Sequence, residues 1–246
     1  MRELWRGVLD LLLPRACADC GGPVPGEAAL CRTCDAGLPR LPAGLCLGCQ
    51  DSLVPSPEVR CPACRDRPRR RAASLAAISF TGPATAWIHR FKYPSPGLAG
   101  LDPAARAVAS SLIREAGRRA PGPRPGAIVP VPLHPRRLRQ RGFNPALLLA
   151  RALAREQGIP VRAGALRRIR DTPSQTGLDR HARRLNLAGA FRSGSRRPLP
   201  QTVWLVDDVV TTGSTVEEAA RMLRRAGARR VVAICVARTP PVPQPD

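Results

Sequence analysis

VWLVDDVVTTGST, residues Val203 to Thr215, passes from four apolar residues to two carboxylates and then to a run of small hydroxylic ones. Val203, Trp204, Leu205 and Val206 read as a buried strand with Asp207 and Asp208 at its end. Thr211, Thr212, Gly213, Ser214 and Thr215 then make a phosphate-sized loop. Ser214, with Glu217 three residues later, predicts an N-cap and capping box for a helix from about Thr215 to Ala226. Gly227 supplies the C′ stop, and the apolar run Val231 to Val236 supplies the next strand. This β-loop-α-β unit predicts an α/β fold, a parallel sheet flanked by helices, whose ligands sit outside the carboxyl ends of the strands.

A sugar phosphate suits such a site. Backbone N–H groups at a helix start, joined by Thr and Ser hydroxyls, surround a phosphate, and the helix dipole favours its charge. Adjacent carboxylates accept hydrogen bonds from two vicinal hydroxyls, such as those of a ribose. A nucleotide-hydrolysing reading of the two acids requires a GxxxxGK[ST] loop, and the chain has none.

The 246 residues suffice for one α/β domain and a small accessory module. Aromatic residues are only 3% of the chain, so the core must be aliphatic. No continuous apolar run approaches the ~18 residues that span a bilayer. The apolar stretch near the N-terminus is interrupted by Arg6 and Asp10, which fits a short amphipathic helix better than a signal peptide and predicts a cytoplasmic protein. The net charge of +22 would attract any polyanion, nucleic acid or a polyphosphorylated small molecule alike. Of 40 basic residues only Lys92 is lysine, a skew that looks like base-composition bias rather than selection for guanidinium at each position.

Eight of the nine cysteines form four C-x-x-C pairs: Cys17/Cys20, Cys31/Cys34, Cys46/Cys49 and Cys61/Cys64. Each pair can chelate one ion from a tight turn, and four thiolates satisfy the tetrahedral preference of Zn²⁺, so eight ligands predict two structural zinc sites. Sequential pairing is the simplest arrangement, and a cross-braced one stays open. With every position filled by sulfur such sites serve folding and docking, not catalysis. The ninth, Cys235, lies mid-strand and reads as a small buried hydrophobe. Residues 1–70 are therefore expected to form a zinc-ribbon module with a short N-terminal helix, and 71–240 the α/β domain, joined near the Arg-rich stretch 65–73.

Three further segments collect the rare residues: the single Lys, the single Tyr and both Asn. In Ala84–Ala99 a helix is expected to end near Lys92 and Tyr93, before Pro94, where Lys92 could place a point charge on a phosphate. In Ala127–Ala154 a short strand to Val131 leads into an Arg-rich loop. Asn144 as N-cap and Pro145 at the first helical position then open a helix that turns Leu147, Leu148, Ala150 and Leu153 to the core. Arg136 and Arg137 read as solvated, and His134 as lining a turn. Arg167–Phe191 is polar and Arg-rich, with little apolar periodicity before Leu185.

VWLVDDVVTTGST resembles the 5-phosphoribosyl-1-pyrophosphate (PRPP) motif of type I phosphoribosyltransferases. The resemblance implies that Asp207 and Asp208 hold the ribose hydroxyls and that Thr211 to Thr215 hold the 5′-phosphate, with Mg²⁺ accompanying PRPP. With the four cysteine pairs added, the whole chain resembles the ComF family of competence-associated proteins. By that resemblance Arg139 and Arg141 are the pyrophosphate-loop candidates, and Gln175, Arg183 and Asn186 belong to a segment that closes over the reacting sugar and keeps water out. The implied activity is transfer or sensing of a phosphoribosyl group, with the acceptor unassigned. The alternative is an accessory role in DNA uptake, through single-stranded DNA or a DNA-bound partner. Scarce aromatics leave few stacking platforms for direct single-strand binding.

Overall fold

The computed structural model describes residues 16–24, 28–48, 53–54, 61–65, 72–93, 102–172, 187–195 and 197–240. The expected N-terminal helix, Cys49, Gln175, Arg183 and Asn186 lie outside them.

Four parallel strands form the sheet: β1 (Ala73–Ser79), β2 (Ala127–Pro130), β5 (Thr202–Val210) and β6 (Arg230–Arg238), in the spatial order β1-β6-β5-β2. Helices α3 (Pro83–Lys92), α4 (Pro103–Arg118) and α6 (Pro145–Gln157) cover one face. Helix α7 (Ser214–Arg225) and an antiparallel pair, β3 (Leu166–Arg168) with β4 (Phe191–Ser193), cover the other. The pleat of β5 serves both: Trp204 and Val206 pack with the first layer, Val203 and Leu205 with the second. Such two-sided burial explains why its sequence is a continuous apolar run rather than an alternating one.

Each long helix has a readable start. Asp102 caps α4 by accepting from the N–H groups of Ala104 and Ala105, both 3.0 Å away, and burial of its carboxyl is outweighed by these bonds and by Arg90, so its pKa is lowered. Asn144 caps α6 as the sequence predicts, with Pro145 at the first helical position. The core face of α6 is Ala146, Leu149, Ala150 and Leu153, whereas Leu147 and Leu148 are only half-buried. Leu149 thus takes the place expected of those two. The Arg-rich segment expected as a loop after β2 is instead α5 (Pro135–Arg141), a short helix capped by His134. The four arginines there are good helix formers, and Pro135 stands where a proline starts a helix.

The cysteine region contains α1 (Arg32–Ala36) and α2 (Pro62–Arg65). It packs directly against the sheet domain. Cys17, Ala18, Leu30, Leu38 and Leu47 join the core under α3 and α4. Trp87 Nε1 donates to Asp19 at 2.9 Å, and Arg90 donates to the Ala18 carbonyl at 3.2 Å. Residues 39–47 run along the outer edge of β1: Leu41 N–H donates to Ala77, Ser79 to Pro39 and Ser74 to Leu47. An edge strand left open would invite pairing with another chain, and this segment covers it.

Candidate functional site

Strand β5 does not stop before the acids. Asp207 and Asp208 are within it, and Val209 and Val210 complete its register with Ala237 and Arg238 of β6. Both carboxylates therefore stand on ladder-held backbone at the carboxyl end of the sheet. Asp208 continues the side of Trp204 and Val206, and its Oδ1 lies 3.0 Å from Lys92 Nζ at the end of α3. Lys92, expected on a phosphate, is thus paired with an acid here, and its side chain is 24% exposed.

Thr211–Gly213 connect the strand to α7. Gly213 is the N-cap, with φ 81°, and no side chain caps the helix. The capping box expected from Ser214 and Glu217 is not formed, because Ser214 is already the first helical residue. Its hydroxyl lies 3.0 Å from that of Thr212. The left-handed backbone at position 213 disfavours any residue with a Cβ by about 1–2 kcal/mol. The first-turn N–H groups of α7 lack intrahelical acceptors by geometry and carry the positive end of the helix dipole.

A cleft of about 420 Å³ opens at this end of the sheet. Asp207, Asp208, Thr211 and Thr215 line it together with Lys92, Tyr93 and Asn144. Arg137, Arg141 and Arg168 complete the ring. Arg141 arrives where the sequence places it, its guanidinium 4.6 Å from the Tyr93 ring centre. Arg139 does not line the cleft, and Arg137, read from sequence as solvated, does. The helical phase of α5 explains both: residues 137 and 141 are four apart and share a face, which 139 does not. Thr212 and Gly213 line a small adjoining cavity, with Gly48 of the cysteine region on its far side. A Cβ at Gly48 would lie 2.9 Å from Cys64 Sγ, so the second cysteine cluster reaches close to the loop only because residue 48 is glycine.

Arg168 was not singled out from sequence. It sits on β3, its guanidinium over Phe191 at 5.6 Å, and hydrogen-bonds to the buried Thr172 hydroxyl. Its Nε is buried without a partner among the described residues. Arg137 donates to the Thr172 carbonyl at 2.7 Å. Burial and the neighbouring Arg137 lower the pKa of Arg168, while Asp207 and Asp171 oppose the shift. Only the polar run after Leu166 hinted at it.

Asp207 titrates abnormally. Burial and the Asp208 charge push its pKa up to about 7, against the pull of Lys92, the Asp208 backbone N–H and Arg168. Cys235, opposite Asp207 in the ladder, is fully buried, and burial and the two acids hold its thiol protonated. It is the inert hydrophobe expected.

The sulfurs of Cys17, Cys20, Cys31 and Cys34 lie within 4.8 Å of one another, as do those of Cys46, Cys61 and Cys64. The grouping is the sequential one. A tetrahedral thiolate shell with ~2.3 Å bonds spaces its sulfurs about 3.8 Å apart. Cys20 and Cys31 show 3.8 Å. Backbone N–H groups point at sulfur as they do toward thiolates: Cys31 to Cys17, and Gly48 and Cys61 to Cys46, each at 3.3 Å. Burial disfavours the Cys17 thiolate, yet N–H bonds from Cys31, Cys20 and Asp19 bring its pKa down to about 6. Burial and the neighbouring thiols push Cys34 up, a conflict that a shared cation resolves. Both clusters can hold a metal and are compatible with a zinc module. Among the described residues no helix is long and apolar enough to cross a membrane.

The family described as "Phosphoribosyl transferase domain" matches residues 141–244. The chain is similar to DNA utilization protein YhgH of Salmonella typhi, 35% identical over 91% of this chain and 90% of that one. It is similar to Competence protein F of Haemophilus influenzae, 31% identical over 82% of this chain and 93% of the relative. Among solved structures, a glutamine PRPP amidotransferase from B. subtilis aligns over 59% of this chain and 30% of its own, with 21% identity and a TM-score of 0.39.

Proposed function

The chain belongs to the ComF family of competence proteins with a phosphoribosyltransferase domain, and from that premise we propose that the cleft at the end of β5 binds Mg²⁺·PRPP. One observation carries the reading: two carboxylates on rigid strand backbone stand beside a helix N-terminus, with Lys92, Arg137 and Arg168 facing the same cleft.

Asp207 and Asp208 accept hydrogen bonds from the 2′- and 3′-hydroxyls of the ribose. The Thr211–Thr215 loop and the first turn of α7 take the 5′-phosphate. Arg137, Arg141 and Arg168 face the pyrophosphate, whose charge Mg²⁺ shares. Bound sugar displaces Lys92 from Asp208 and frees its ammonium for the phosphates. Transfer would break the bond from C1 to the pyrophosphate oxygen as an acceptor bonds to C1. The protein's part is positioning, shielding and charge stabilisation. Gln175, Arg183 and Asn186 belong to this proposal as residues of the closing segment, with Arg139 beyond the cleft wall.

Each cysteine group is proposed to hold one structural Zn²⁺: Cys17, Cys20, Cys31 and Cys34 the first, and Cys46, Cys49, Cys61 and Cys64 the second. The division into a module of residues 1–70 and a domain of 71–240, and a cytoplasmic location, complete the proposal.

Isothermal titration with Mg²⁺·PRPP tests the reading. Binding is expected with one site per chain, weakened at least tenfold in Asp207→Ala and in Asp208→Ala. Unchanged affinity in both variants would sink it.

A second reading concerns DNA. The names of the relatives, a DNA utilization protein and a competence protein, together with the +22 charge, support association with single-stranded DNA or a DNA-bound partner. Gel shifts over a salt series test direct contact, which should weaken steeply as salt rises. No shift at low salt would exclude it.

A further inference from the structure

We infer that the groove between α4 and α6 is a surface for the phosphodiester backbone of a nucleic acid, with Arg106, Arg114, Arg151 and Arg155 as its phosphate contacts. The inference rests on the DNA reading, not on the PRPP reading, and it assigns that contact to the helical layer rather than to the cysteine knuckles.

The groove encloses about 400 Å³ and shares no lining residue with the cleft at β5. Four guanidinium groups line it against one carboxylate, Glu156. That carboxylate is already engaged by Arg114 at 3.1 Å and Arg118 at 2.9 Å. Arg106, Arg151 and Arg155 are exposed and make no ion pair among the described residues. Arg151 and Arg155 are four apart on one helix, a like-charge spacing that destabilises an isolated helix by a few tenths of a kcal/mol.

Packing does not require these arginines. The core face of α4 is Ala105, Val108, Ala109, Leu112, Ile113 and Ala116, and that of α6 is Ala146, Leu149, Ala150 and Leu153. The charges belong to the outer face alone, where an anionic partner would relieve their repulsion. Ser110 and Ala152 are small lining residues and leave room for a strand to approach. Arg106 and Arg114 are separated by about 12 Å along the helix at ~1.5 Å per residue. That length matches three to four nucleotide steps at ~3.4 Å of axial rise in a duplex strand.

No aromatic ring lines the groove, so it offers phosphate contacts without base stacking, and binding should not depend on base sequence. A membrane surface fits less well. Helices that lie on lipid bury apolar side chains beside their charges, and the large exposed apolar residues among those described, Leu53, Tyr93, Leu138 and Ile169, are on neither helix.

The test uses the full chain with its metals in place and a fluorescein-labelled oligo-dT, followed by anisotropy over a salt series. Arg106→Glu/Arg151→Glu/Arg155→Glu is compared with Arg197→Glu/Arg225→Glu/Arg229→Glu, an equal charge change at exposed positions on the α7 side of the sheet. The groove variant should bind at least tenfold more weakly, with a salt slope smaller by about three, while the control stays within about threefold of wild type. Circular dichroism reports folding, and the milder Arg→Gln triple in the groove should still lose about fivefold if the charge reversal fails to fold. Equal losses in the two triples would overturn the groove while leaving the DNA reading intact. Failure of wild type to bind at low salt would overturn both. Loss of binding to anionic phosphatidylglycerol vesicles with oligo-dT binding intact would assign the groove to lipid and likewise overturn it.

Discussion

The cysteine region and the β-sheet domain are held together by opposite means. The sheet domain buries two aliphatic layers, one on each side of β5 and β6. Among its described residues the cysteine region has two helices, of five and four residues, and a cluster of three buried cysteines packed with half-buried Val54. Leu30, Leu38 and Leu47 lean on the sheet domain's core. Among the described residues this region has little core of its own, which metal–sulfur bonds and a neighbour would supplement, whereas the sheet can present its acids on hydrogen-bonded backbone. On the proposed reading, the region whose order would depend on metal covers an edge, and the sheet would carry the site.

Stripping the metal should break this contrast most visibly. Apparent zinc affinities in small thiolate sites reach about 10 kcal/mol, and that free energy is folding free energy. Under chelation, hydrogen exchange should show amides of residues 16–48 losing protection while β5 and β6 keep theirs. Simultaneous loss in both regions would mean that the sheet domain does not stand alone. Leu205→Ala acts on the other side of the comparison. The residue is fully buried, so about 2–5 kcal/mol of stability should disappear by urea unfolding, with metal content per chain unchanged. Trp87→Phe touches only the seam. Losing its hydrogen bond to Asp19 should cost about 1 kcal/mol and loosen the amides near residue 18 before those of the sheet. Equal loosening everywhere would deny a distinct seam.

The last contrast comes from the site itself. Asp207 is raised from 3.8 to about 7 in the fold, so the native state holds its proton more tightly than the unfolded chain. Its contribution to stability is present at low pH and lost as pH rises from about 4 through about 7. Urea midpoints of the ligand-free protein should show Asp207→Asn gaining on wild type between about pH 4 and pH 7. An unchanged difference would show that Asp207 titrates normally. On the proposed reading, binding of a sugar that needs the Asp207 carboxylate would be favoured as pH rises over that interval.

Much of this was legible in the sequence because it was local. Val203–Val206 announced a strand buried on both faces, Asn144-Pro145 a helix start, and the C-x-x-C spacing its sulfur groups. What stayed hidden depended on helical phase or on distant segments meeting. Arg137 and Arg139 are indistinguishable as letters, and only the turn of α5 separates them. Arg168 reaches the cleft because β3 pairs with β4, more than twenty residues away. Lys92 was visible as an anomaly, but its partner Asp208 was not, since more than a hundred residues separate them. At Gly213 backbone geometry did the capping expected of Ser214, because the turn enters the left-handed region there.

The central claim is that the rigid strand end, not the metal-dependent region, holds the sugar. It is tested most directly by titrating Mg²⁺·PRPP and ribose 5-phosphate into metal-filled wild type and the Asp207→Ala/Asp208→Ala double variant. Both ligands should bind wild type at one site, PRPP the more tightly and in competition with ribose 5-phosphate, and the double variant should lose both while keeping its metal. PRPP bound with equal affinity by the two proteins would contradict the account.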